Sequence, residues 1–178
     1  EDPIPDLTQY ELVYLMDISL PPEVMQANVR RLIWLDHHKS ALDKMAGTKF
    51  AGIQIDGVAA CRLVWQWFFG ERADEKAIYV ERLVEEPYAV QLLGEYDIWD
   101  KDNPDTELFQ LGMQAEANPS WDAALLSGYD SASDGLTPSH YVDMVIDRGR
   151  AIHAYTTTQN AKIATERGFD LNWEGLLG

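Results

Sequence analysis

Asp17 and the triplet Asp36-His37-His38 are the residues whose types and spacing best suit chemistry. Each closes a short apolar run: Glu11 to Asp17 (ELVYLMD) ends on one carboxylate, and Leu32-Ile33-Trp34-Leu35 ends on the other. Carboxylate oxygens and imidazole nitrogens, with no thiolate, form a ligand set for Mn²⁺, Fe²⁺ or Zn²⁺. The residue types leave two readings open. One is a metal centre. The other is a chain turn at Asp17 beside a solvated pair, His37 and His38.

The elements around these residues bring them together. Leu32 to Leu35 is too short for a helix, and a continuous apolar run of this kind suits a strand buried on both faces. Pro21-Pro22 opens a helix through about Arg31, with proline at an early helical position. Strand, helix and strand make one βαβ unit, which implies a parallel pair. Ligands of an open parallel sheet bind beyond the carboxyl ends of its strands. Asp17 and Asp36 are therefore expected to face one small site. Lys49 to Ile55 offers a third strand. Asp56-Gly57 then turns into a helix over Val58 to Phe69, with Asp56 as its cap and Gly70 as its stop. Val58, Cys61, Val64, Trp65 and Phe68 recur on it at helical spacing, so it is expected to pack on the sheet.

From Asp74 onward only helices are expected: Glu75 to Glu85, about Tyr88 to Trp99, a shorter one after Pro119, and a long one from Thr137-Pro138 to as far as Arg167. Gly149 could interrupt the last, and Gly168 ends it. The fold class is thus α/β: a parallel-sheet core with helices on both faces, followed by an all-helical rear half.

Bulk composition narrows the partners. Apolar residues make up 46% and charged residues 25%, as in a soluble globular protein. No run of eighteen apolar residues occurs, so no membrane partner is expected. No basic start leads into an apolar stretch, and the single Cys61 rules out an intrachain disulfide, which together suit a reducing cytoplasm. Cys61 itself reads as a packing residue. The net charge of −16, from 14 basic and 30 acidic residues, repels the backbone of long duplex nucleic acid.

Asp36-His37-His38, followed by Lys39-Ser40-Ala41, resembles the signature of the DHH phosphoesterase superfamily, which includes RecJ-type exonucleases, nanoRNases, cyclic-dinucleotide phosphodiesterases and inorganic pyrophosphatases. Three further segments agree in order and spacing. Val13 to Ser19 is similar to the family's second motif, a strand ending in a metal-bridging Asp. Asp56-Gly57-Val58-Ala59-Ala60 stands where the family opens a helix with a small-residue turn. Leu93 to Trp99 (LGEYDIW) is similar to its fourth motif. The resemblance covers roughly residues 10 to 115.

The resemblance implies that Asp17 bridges two metals and that His37 and Asp97 ligate one of them. Asp36 would orient His37 from behind, and His38 would polarise the phosphate or protonate the leaving oxygen. It implies two Mn²⁺ ions, with Mg²⁺ or another divalent ion as substitutes. The implied activity is hydrolysis of phosphodiester bonds in short oligonucleotides or small nucleotides. The alternatives are a phosphatase or pyrophosphatase of small phosphorylated metabolites, and a catalytically incomplete binding or regulatory module. A homodimer is left open. Only sixteen residues precede Asp17, with no His or DxD among them, so the family's first motif is not visible. The expected organisation is a catalytic domain over 1–168 and, over 169–178, the lead-in to a substrate-binding domain, both parts of a longer protein. A short degenerate member is the alternative. The chain alone is expected to be nearly inactive.

Other residues carry less. Lys39 and Arg62 are the basic residues nearest the motifs and are candidates for touching phosphate, though surface or snorkelling roles suit them too. Asp100 reads as a solvated end-of-helix residue, and Trp99 as a structural aromatic beside the metal site, with stacking on a base as the alternative. Trp65 and Trp67 fall on the core-packing helix, and His140 and His153 read as ordinary histidines.

Overall fold

The computed structural model describes residues 4–70, 85–127 and 140–168. These residues form a mixed α/β fold with a three-stranded parallel sheet and seven α-helices. β1 (Val13–Met16), β2 (Leu32–Asp36) and β3 (Ala51–Gln54) lie in the order β1-β2-β3, with β2 in the middle. Val13 pairs with Leu32 and Met16 with Leu35, while Asp36 pairs with Gln54 on the other side.

The apolar run of β2 is buried at all five positions because both its faces are covered. Leu32 and Trp34 point into one cluster with Leu15, Met25, Ala41 and Met45. Met25 comes from α1 (Pro22–Ala27) and Ala41 from α2 (Lys39–Lys44). Ile33 and Leu35 point the other way, onto Ile53 and onto Leu63 of α3 (Ala60–Phe69). The period-2 alternation of a strand thus divides four consecutive apolar residues between two cores.

After α3, every regular element among the described residues is a helix: α4 (Tyr88–Asp97), α5 (Pro104–Gln114), α6 (Trp121–Leu126) and α7 (Tyr141–Arg167). They share a separate core built on Leu92, Phe109, Ala124, Val142 and Val145. α5 and α7 approach so closely that a Cβ on Gly149 would sit 1.8 Å from the Leu108 carbonyl oxygen, and one on Gly112 would sit 2.0 Å from that of Val145. Gly149 therefore does not interrupt α7. It is where α5 lies against it.

Several boundaries differ from the sequence expectation. α1 stops at Ala27, and residues 28–31 form turns before β2. α3 starts at Ala60 behind Ala59, with no side-chain cap, so Asp56 is not its cap. Its buried face is Ala60, Leu63 and Gln66, while Phe68 is exposed and Trp65 stacks on Phe69 at 4.1 Å. α2 and α5 are absent from the expected elements. Helix 75–85 lies outside the described residues except for Glu85, which is not helical. The Thr137-Pro138 helix start and segment 169–178 also lie outside them. No helix among the described residues is long and apolar enough to cross a membrane.

Candidate metal centre

The carboxyl ends of β1 and β2 lie side by side, and the chain's candidate ligands gather there. The Asp17 N–H still donates to the Leu35 carbonyl at 2.9 Å, which continues the β1–β2 ladder by one residue. Asp17 itself has φ +62, a left-handed conformation that Asp tolerates better than most residues. The chain leaves the sheet at this point. The indole N–H of buried Trp34 then ties the two strand ends, donating to the Ile18 carbonyl at 3.1 Å and to Asp36 Oδ2 at 3.0 Å.

Asp36 is fully buried and organises the triplet. Its Oδ1 accepts from the backbone N–H of His37 at 2.7 Å and of His38 at 3.0 Å, and it lies 2.7 Å from His38 Nδ1. Burial pushes this carboxyl up, but the hydrogen bonds from His38, Trp34 and His37 outweigh it and hold Asp36 below the usual carboxylate range. His38 shifts upward, chiefly through its hydrogen bond to Asp36, with Asp17 and Asp97 adding negative potential. The imidazole that Asp36 orients is therefore that of His38, not of His37. The reason is local: residues i and i+2 of an extended chain share a side, and His38 is extended at φ −68, ψ 105.

His37 turns the other way and meets two carboxylates. Its Nε2 lies 3.3 Å from Asp17 Oδ1 and 3.1 Å from Asp97 Oδ2, with the ring largely buried. Asp97 is the last residue of α4, so a helix contributes a carboxylate at the sheet's carboxyl edge. His38 Nδ1 is 3.7 Å from Asp17 Oδ1, and donor atoms of Asp17, His37 and His38 all lie within 4.8 Å of one another. Two ligands about 2.1 Å from one ion and at right angles lie about 3.0 Å apart, so the His37 spacings fit donors around a divalent cation. The oxygen and nitrogen donor set is of the type that Mn²⁺, Fe²⁺ or Zn²⁺ accepts.

The remaining candidates fall differently. Lys39 is exposed, with its Nζ 3.5 Å from Asp56. Arg62 donates from Nε to buried Glu86 at 2.6 Å, and Glu86 also receives Gln66 at 2.9 Å, so Arg62 is part of the contact between α3 and the chain entering α4. Asp100 is exposed, just past α4. His140 pairs with Asp143 at 3.5 Å, and His153 is exposed. Trp99 is not a packed structural aromatic: it is 78% exposed. Beside His38, an open depression is lined by Ser19, Ser40 and Lys44, none of them given a role from sequence. Ser40 and Lys44 are four apart on α2, so recognising that helix would have placed both on one side.

Comparison of the chain with models of known protein families, with curated proteins and with solved structures finds no match.

Proposed function

We propose that this chain is the metal-binding core of a DHH-type phosphoesterase, hydrolysing phosphodiester bonds in short oligonucleotides or small nucleotides by a two-metal mechanism. One observation carries the reading. Asp17, His37 and Asp97 come from three separate stretches of chain, yet both carboxylates lie within 3.3 Å of the same His37 nitrogen. These are the positions that the resemblance implies as ligands.

Divalent ions bound there would lower the pKa of water and offset negative charge developing on the phosphate. The chain's own residues supply the rest. Asp17 and Asp97 bring the negative charge that holds cations close. Asp36 keeps His38 Nδ1 as the N–H that donates to it, so a proton taken up by the ring resides on Nε2. With its pKa raised, His38 holds that proton at higher pH than an ordinary histidine and suits protonation of a leaving oxygen.

Two measurements test the proposal. Mn²⁺ titration of the chain by electron spin resonance should show binding that weakens at least about tenfold in Asp17→Asn, which removes a ligating charge, and in His37→Ala, which removes a ligating nitrogen. The protein is then assayed with Mn²⁺ on dinucleotides, cyclic dinucleotides, 3′-phosphoadenosine phosphate and pyrophosphate. Phosphodiester turnover should fall more than about 10²-fold in Asp17→Asn, with a higher Mn²⁺ requirement in His37→Ala. His153→Ala, with no ligand role, should leave turnover intact. If His153→Ala abolishes turnover while Asp17→Asn does not, the proposal fails. Turnover confined to pyrophosphate or phosphomonoesters would select the metabolite phosphatase. Mn²⁺ binding without turnover would select the binding module.

A further inference from the structure

We infer that the cavity beside Trp99 seats the nucleobase of the substrate whose phosphate is handled at the Asp17–His37–His38–Asp97 cluster, an inference that rests on the function proposed above. Trp99 is the most exposed large apolar side chain among the described residues, at 78%. Its backbone has φ +60, a region bulky residues seldom occupy. It is no frayed end: the Trp99 N–H donates to the Tyr96 carbonyl at 3.2 Å, and the Asp100 N–H to that of Glu95 at 2.9 Å. The fold thus holds an indole out in water, in a backbone conformation that works against it.

Beside the ring lies a cavity of about 220 Å³, lined by Tyr96, Trp99, Asp100, Asn103, Thr106 and Glu107. That is smaller than the clefts of about 300–1,000 Å³ that enclose whole drug-sized ligands, and it suits a single flat heterocycle. Its walls are fixed in advance. The Asn103 side chain caps α5 by accepting the Asp105 N–H at 3.1 Å, and the buried Thr106 hydroxyl donates to Glu95 at 2.5 Å. An aromatic face stacks on any base because every base has a π-face. The Lys101 ammonium, 5.2 Å from the indole centroid, already occupies part of that neighbourhood with positive charge.

Charge and position decide which part of a nucleotide belongs here. The lining carries two carboxylates, Asp100 and Glu107, against the one ammonium of Lys101, so its net negative charge disfavours phosphate, while the carboxylates can accept hydrogen bonds from the exocyclic amine of a neutral base. Trp99 is two residues beyond Asp97, whose carboxylate is 3.1 Å from His37 Nε2. Their Cα atoms are therefore within about 7.6 Å of each other, two trans peptide steps. The base site and the phosphate site are thus close enough for one nucleotide to reach both.

The test splits a nucleotide into its halves. Binding of adenosine and of ribose 5-phosphate is measured calorimetrically in the presence of Mn²⁺. Adenosine should bind the wild-type chain and bind Trp99→Ala about 5- to 150-fold more weakly, the range that loss of one stacking platform produces. Trp99→Phe, which keeps an aromatic face, should recover most of the affinity. Asp17→Asn should leave adenosine binding unchanged. Ribose 5-phosphate should show the reverse pattern, indifferent to Trp99→Ala and weakened by Asp17→Asn. No adenosine binding, or equal binding by wild type and Trp99→Ala, overturns the inference. So does a wild-type dimer that Trp99→Ala dissociates while adenosine binding stays the same, since the indole would then be a subunit contact. If adenosine depends on Trp99 while ribose 5-phosphate ignores Asp17, the base site stands and the phosphoesterase reading of the cluster fails.

Discussion

Replacing Asp36 with Asn should be among the most damaging single changes in the sheet half, although it alters one atom. The carboxylate is fully buried and receives four hydrogen bonds: Oδ1 takes the His37 and His38 backbone N–H groups and the His38 ring, and Oδ2 takes the Trp34 indole. An amide offers only one acceptor oxygen. If that oxygen faces the three donors of the triplet, the new NH₂ group opposes the Trp34 N–H, and that bond is lost. Trp34 keeps its bond to the Ile18 carbonyl, so its N–H is not stranded. The three remaining bonds also lose their charge assistance. A bond to a charged group contributes about 1.5–3 kcal/mol and a neutral one about 0.5–1.5 kcal/mol, so each drops by roughly 1 kcal/mol. Relief from burying a charge offsets part of this. It cannot reverse it, because the lowered pKa of Asp36 means that the folded protein already prefers the ionised form despite the burial. The net loss is about 2–4 kcal/mol, or roughly 4–16 °C in melting temperature for a chain of this size. His38→Ala removes only one of the four bonds, from a half-exposed ring, and should cost about 1.5 kcal/mol or less. Urea denaturation of wild type and both variants gives the comparison. If Asp36→Asn costs no more than His38→Ala, Asp36 does not organise the triplet.

Three other perturbations probe the rest of the molecule. Gly149→Ala would improve an ordinary helix interior by about 0.5–1 kcal/mol. Here its Cβ meets the Leu108 carbonyl oxygen at 1.8 Å, so it should instead lower stability by at least about 1–3 kcal/mol. A raised melting temperature would show that α5 and α7 do not lie this close. Glu116 is held below the usual range of about 4.5, first by the Tyr141 hydroxyl and then by Arg148. Its contribution to stability is therefore complete above the unfolded value and is lost as pH falls through the lower folded one. The stability gap between wild type and Glu116→Gln should be constant at neutral pH and shrink below pH 4.5. A gap unchanged in urea midpoints from pH 7 to 3 would refute this. The Cys61 thiol, about 3.8 Å from the Val90 carbonyl, is pushed up to about 11 from 9.0, mainly by burial. At pH 8 its thiolate fraction is then about 10²-fold below that of the unfolded chain, so a disulfide reagent should label the native protein at least that much more slowly. Equal rates would place the thiol at the surface.

The legible part of this protein is the part whose signals are local. β2 announces itself as a continuous apolar run because it is covered on both faces, and Asp17 and Asp36 are visible as the residues that end neighbouring strands. Parallel pairing follows from the helix between them, so the meeting of Asp17 with the triplet follows from the sequence alone. α5 is also written plainly, with Asn103 as cap, Pro104 at its first position and Asp105 and Glu107 in its first turn. It goes missing from the expected elements because no chemical motif lies on it. The preference of Asp36 for His38 was likewise within reach, since alternate residues of an extended chain share a side.

What only the tertiary structure decided lies at long separation or on exposed surfaces. Asp97 is sixty positions from His37 in the sequence, and nothing local brings the end of α4 to the sheet edge; the packing of α3 on both β2 and α4 does. Arg62 looks as available for phosphate as any basic residue near a motif, until Glu86, twenty-four positions away, is found within hydrogen-bond reach. Trp99 is the sharpest case. Its neighbours in sequence suggest a packed aromatic, but its left-handed backbone turns the indole into solvent. Sequence specifies element type through propensity and periodicity, which act over a few residues. The side chains that meet, and those left facing water, depend on how whole elements pack.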